Sequence, residues 1–86
     1  MYKILFTRLA KKQLQKISSV YLIRIETKLK ELQQNPFTVS NVKKLEGSKT
    51  LYRLKIGDIR IIYNVNTKQI LIEIIEIEKR NDVYKK

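Results

Sequence analysis

YRLKIGDIRIIY, residues Tyr52 to Tyr63, reads as a strand, a two-residue turn and a second strand, and the place of its turn decides the fold. Gly57-Asp58 fits a tight hairpin turn, with glycine where a positive φ is costly for any side chain. That turn pairs Ile56 with Ile59, Lys55 with Arg60, Leu54 with Ile61, Arg53 with Ile62 and Tyr52 with Tyr63. Strand alternation then puts Tyr52, Leu54, Ile56, Ile59, Ile61 and Tyr63 on one face. Arg53, Lys55 and Arg60 share the opposite face with Ile62. Reversing the assignment would expose both tyrosines and bury the cations, a poor exchange. The apolar set is therefore the side that needs covering.

Like charges directly opposite on a sheet are unfavourable by a few tenths to about 1 kcal/mol. Two readings of the cationic face stay open. In one it is a solvated surface, where long stems splay the charges apart and salt screens them. In the other it is an anion site, compensated when phosphate or carboxylate arrives. Guanidinium forks beside an ammonium suit phosphate better than a plain point charge.

Working outward, Leu51–Ile56, Ile59–Val65 and Gln69–Ile77 are strand candidates rich in Ile, Val and Tyr. In the last of them Ile70, Ile72 and Ile74 share one parity, while Leu71, Ile75 and Ile77 share the other. Glu73 and Glu76 fall on opposite parities. A largely covered central strand, or a bulge near Glu76, would account for this. Upstream, Phe37 to Thr50 has no period and contains Gly47, so it is expected to be a connecting loop, with Val39, Val42 and Leu45 tucked against the domain edge.

Nearer the start, Tyr2 to Phe6 reads as a first strand and Thr7 as a helix cap. Ala10, Leu14 and Ile17 repeat at helical spacing. Ser18 and Ser19 interrupt the pattern and offer a second cap. Leu22, Ile25, Leu29 and Leu32 form the next stripe, which Asn35-Pro36 ends. A link this short makes the helices antiparallel neighbours. The expected class is α+β: an N-terminal strand, an antiparallel helical hairpin packed on a mostly antiparallel four-stranded sheet, and a short C-terminal tail or helical turn.

Composition narrows the chemistry. A chain of 86 residues suits one small domain that buries roughly 60–65% of its unfolded surface. It contains no cysteine and no histidine, which removes disulfides, thiolate metal sites and the commonest general base. A net charge of +11, from 19 Lys and Arg against 8 Asp and Glu, favours a polyanionic partner. No signal peptide is apparent, and uncharged runs such as Ile17 to Ile23 are far short of the roughly 20 apolar residues of a membrane helix. A soluble, cytoplasmic protein without a membrane partner is expected.

If the anion is RNA, a metal-dependent nuclease would want convergent carboxylates, and the sequence suggests none. What remains is metal-independent transphosphorylation, in which a ribose 2′-hydroxyl attacks the adjacent phosphate while cations stabilise the developing charge. No cofactor is expected. Arginine suits stabilisation but is a poor proton carrier, so proton transfer would fall to Tyr84 or a lysine. Arg80 and Tyr84, four apart, share a face if the tail makes one helical turn. So poor a set of acids and bases implies a larger machine that presents the RNA already aligned.

KLEGSKTLYRLKIGDIRIIY, a hydrophobic strand and then KRNDVY resemble the RelE/ParE toxin superfamily across nearly the whole chain, with the closer likeness to the RelE branch. The resemblance implies a single toxin domain over residues 1–86, belonging to a type II toxin-antitoxin system. It implies a ribosome-dependent endoribonuclease that cleaves messenger RNA in the A site and leaves a 2′,3′-cyclic phosphate. It also implies a cognate antitoxin that wraps and restrains the toxin.

By motif, Arg53 and Lys55 match basic positions of the strand after the loop, and Arg60 matches the arginine that contacts the scissile phosphate. Arg80 matches the arginine of transition-state and leaving-group chemistry, and Tyr84 the tyrosine that orients the nucleotide. Lys55 is the candidate general base. Lys79 stands where many relatives carry the histidine of a GHR tripeptide and is a further RNA-binding candidate. Glu78, in place of that glycine, sets a negative charge beside the expected site. Two rivals stand beside this reading: a ParE-like inhibitor of DNA gyrase, and a non-enzymatic basic nucleic-acid-binding domain.

Overall fold

The computed structural model describes residues 1–79. Its elements are β1 (Lys3–Phe6), α1 (Arg8–Gln15), α2 (Ser19–Gln34), β2 (Val42–Lys44), β3 (Leu51–Ile56), β4 (Ile59–Asn66) and β5 (Leu71–Lys79). The strands form one sheet in the order β1-β5-β4-β3-β2. β1 runs parallel to β5, and the other ladders are antiparallel. The α+β class is as expected, but among the described residues the sheet has five strands and not four.

The extra strand is β2, inside the segment expected to be a loop. It pairs Val42 with Leu54, Lys43 with Arg53 and Lys44 with Tyr52. Three residues are too few to show a period, so only the partner strand reveals it. Asn41 enters it with a φ of 68°, and its carbonyl accepts from the Lys55 amide at 3.0 Å. The last strand also differs from expectation at both ends. Gln69 and Ile70 belong to the preceding turn, where Asn66 Oδ1 accepts from the Gln69 amide at 2.9 Å and Ile70 has a φ of 53°. The strand then continues beyond Ile77 to Lys79.

The β3–β4 hairpin has the expected register, from Tyr52 opposite Tyr63 to Ile56 opposite Ile59. Gly57 takes a φ of 56° at the turn. Leu54, Ile56, Ile59, Ile61 and Tyr63 are buried in one cluster with Ala10 and Ile17, and with Ile25 and Leu32 of α2. Both helices therefore cover a single face of the sheet. Tyr63 donates its hydroxyl to the Pro36 carbonyl at 2.7 Å, while Tyr52 stacks on it with centroids 5.8 Å apart. Burial, and then the neighbouring Tyr52, push the Tyr63 phenol well above its ordinary range.

Thr7 caps α1 as expected, accepting from the Ala10 amide at 3.1 Å. Ser18 occupies the N-cap of α2, but its side chain makes no capping bond; its carbonyl accepts from Leu22. The parity conflict in the last strand has a bulge as its cause. Ile62 pairs with Glu76 while Tyr63 pairs with Ile74, which leaves Ile75 as the extra residue. Side chains on α1 hold this irregularity. Thr7 donates its hydroxyl to the Ile75 carbonyl at 2.8 Å, and Gln13 accepts from the Ile77 amide at 2.6 Å.

Candidate nucleic-acid interface

The bulge sets the charges of the uncovered sheet face. Ile72 and Ile74 before it, and Ile77 after it, are all buried although their parities differ. Without the extra residue Glu76 and Glu78 would turn toward the helices. With it, Glu73, Glu76 and Glu78 all keep to the open face, paired with Asn64, Ile62 and Arg60 in turn. The register puts Glu76 and Glu78 nearer to the cations than Glu73.

Across the sheet the open face consists of rows. One runs Lys43, Arg53, Ile62, Glu76; the next, at the hairpin end, runs Lys55, Arg60, Glu78. Arg53, Lys55 and Arg60 thus share one face outside the helix-covered core, with Lys55 and Arg60 exposed and Arg53 half-buried. Lys43 joins them and was missed because its strand was read as loop; the alternation Val42-Lys43 beside a known hairpin edge is the only hint of it. Cations occupy the β2–β4 half and carboxylates the β5 edge of this patch.

A groove of about 240 Å³ opens at the hairpin end, lined by Lys55, Gly57, Asp58, Arg60, Glu78 and Lys79. Lys79 pairs with Ile59 and so has the parity of the covered face. Its ammonium is held below the ordinary lysine range, first by burial and then by Lys16 at the end of α1. Lys79 therefore reaches the groove from its rim and not from the open face. Arg80 and Tyr84 lie outside the described residues. Among the described residues no three acidic groups gather as a metal site, and no helix is long and apolar enough to cross a membrane.

On the other side of the hairpin tip, Arg24 of α2 places its guanidinium nitrogens 3.6 Å from where a Cβ on Gly57 would stand. The same group lies 5.5 Å from the Tyr21 ring centroid. That spacing is ordinary van der Waals contact, so it is the positive φ of the turn that calls for glycine here. The resulting surface can seat an anion between Lys55 and Arg60, because their mutual repulsion falls when a phosphate sits between them.

Two helices on one face of an open sheet match the fold of RelE toxins. The intact E. coli RelBE toxin-antitoxin complex contains a chain that matches with a TM-score of 0.82 at 25% identity, over 94% of this chain and 99% of that one. The archaeal RelE-RelB complex from Pyrococcus horikoshii OT3 matches at 0.81 and 31% identity, over 93% and 96%. The isolated E. coli RelE toxin matches at 0.83 and 25% identity, over 94% and 86%. A family model for the ParE toxin of type II toxin-antitoxin system, parDE, matches residues 4–84. A search of curated proteins returned no match. The chain belongs to the ParE toxin family, within the RelE/ParE superfamily of type II toxins.

Proposed function

We propose that this toxin is a ribosome-dependent endoribonuclease that cuts messenger RNA in the A site without a metal ion. The reading rests on one observation above all: Lys55 and Arg60 stand directly opposed on the uncovered face, with Arg53 and Lys43 in the adjoining row. In this role Arg60 and Lys55 hold the scissile phosphate and stabilise its developing charge, while Arg53 and Lys43 track the flanking backbone. Lys79 contributes from the rim of the groove, and Arg80 and Tyr84 supply leaving-group stabilisation and nucleotide orientation. The A site brings the message already bent, which compensates for the lack of histidine.

The partners in this reading are the ribosome, its message and a cognate antitoxin, all in the cytoplasm. Two of the similar structures are toxin-antitoxin complexes, and an acidic antitoxin segment would suit a charge of +11. Purified toxin, incubated with translating ribosomes and a defined message, should produce new 5′ ends in register with codons. Arg60→Ala should reduce them by about 100-fold, the order of one lost transition-state donor. Codon-independent ends, or undiminished cutting by Arg60→Ala, would remove this mechanism.

Inhibition of DNA gyrase is the second reading, favoured by the ParE family match over residues 4–84. A supercoiling assay with the same preparation decides between them. Loss of gyrase activity without message cleavage selects the gyrase target.

A further inference from the structure

The reaction proposed above needs a group to take the 2′-hydroxyl proton, and the groove narrows the choice. The chain has no histidine. Arginine does not give up its proton, and lysine accepts one only after losing its own, whereas an ionised carboxylate is an acceptor from the start. The groove contains two carboxylates, Asp58 and Glu78. Asp58 already has an interaction partner of its own. Glu78 is exposed, and it makes no ion pair or side-chain hydrogen bond among the described residues.

Position favours Glu78 as well. It is paired with Arg60, which is paired with Lys55, so the three form one row across β5, β4 and β3. Directly opposed residues of an antiparallel ladder have Cβ atoms about 4.5–5.5 Å apart. A phosphate on Arg60 therefore has a carboxylate on one flank and an ammonium on the other. In-line attack requires that geometry, because the nucleophile enters and the leaving group departs on opposite sides of phosphorus. The Ile75 bulge is what delivers Glu78 to this face.

We infer that the Glu78 carboxylate takes the proton from the attacking 2′-hydroxyl and that Lys55 protonates the departing 5′-oxygen. This rests on the endoribonuclease reading and reverses the role that the family resemblance gives Lys55. The bond from 2′-oxygen to phosphorus forms as the bond from phosphorus to 5′-oxygen breaks. Glu78 ends as the carboxylic acid, Lys55 as the neutral amine, and the products are a 2′,3′-cyclic phosphate and a 5′-hydroxyl. A proton passing through solvent from Glu78 to Lys55 restores both.

The test is single-turnover cleavage on programmed ribosomes with two messages, one all-oxygen and one with a bridging sulfur at the 5′ position of the cut. A thiolate leaves without a proton. Glu78→Gln should slow both messages by about 100-fold, the lower end of general base catalysis, and Glu78→Asp should recover part of the loss. Lys55→Ala should slow the oxygen message more than the sulfur message, the excess being the lost protonation of the leaving group. Glu78→Gln cutting as fast as the parent, or faster, would overturn the assignment, as would a defect that the sulfur message relieves. A parent protein that cuts neither message overturns the endoribonuclease reading together with this one. A parent that cuts beside an unimpaired Glu78→Gln removes only the role of Glu78.

Discussion

Ile70 holds a φ of 53°, a conformation that a β-branched side chain takes only under strain. Its carbonyl accepts from the Lys3 amide at 3.0 Å, so the strained residue is the point where β5 meets β1. With much of its side chain in solvent, Ile70→Asn should raise stability by about 0.5–1 kcal/mol, read as a higher urea midpoint with an unchanged slope. Tyr63 presents the opposite case. Its folded-state pKa is raised, so the unfolded chain releases that proton first, near the ordinary phenol value of about 10. The stability from this group is complete below that pH and is lost as the solution becomes more alkaline. Tyr63→Phe should flatten that alkaline decline. At neutral pH it should cost about 1–2 kcal/mol, because the buried Pro36 carbonyl loses its donor. Strand alternation alone put Tyr63 in the core. The same logic drew Ile70 into a strand, since isoleucine advertises strand and nothing local advertises a left-handed turn.

At the scale of elements, α1 works as a clip on the irregular strand. Thr7 caps the helix and also holds the Ile75 carbonyl, and Gln13 holds the Ile77 amide. Thr7→Ala should therefore cost more than an ordinary cap, about 2 kcal/mol, and amides around Ile75 should exchange faster with solvent than in the parent. The hairpin was legible because a glycine turn and clean alternation agree, and with it came Arg53, Lys55 and Arg60. The bulge was legible only as a conflict, since two parities in one strand admit more than one remedy. Strand β2 was not legible, for its pairing is supplied by Arg53 and Leu54 and not by its own residues. Lys43 was lost with these features, and Glu78 was expected beside the site by resemblance but not as the partner of Arg60, because each pairing depends on which strand lies alongside.

For the whole molecule, charge sets the reach of the surface. Affinity for single-stranded RNA should fall with salt, with a logarithmic slope of about −0.7 for each phosphate neutralised. Replacing Arg53, Lys55 and Arg60 together by alanine should make the slope shallower by about 2, measured by fluorescence anisotropy across a salt series. Loss of affinity with no change of slope would mean that these side chains do not meet phosphate. The strand order has a separate consequence. Among the described residues, β1 pairs with no strand but β5, which is also the partner of β4. A nascent chain that has not yet delivered Leu71–Lys79 lacks the strand with which β1 pairs, and its opening segment has only its bonds to Gln33 of α2. Products that stop before Leu71 therefore lack the β1 ladder and the Glu78–Arg60 row alike, so the sheet is completed only after β5 has been made.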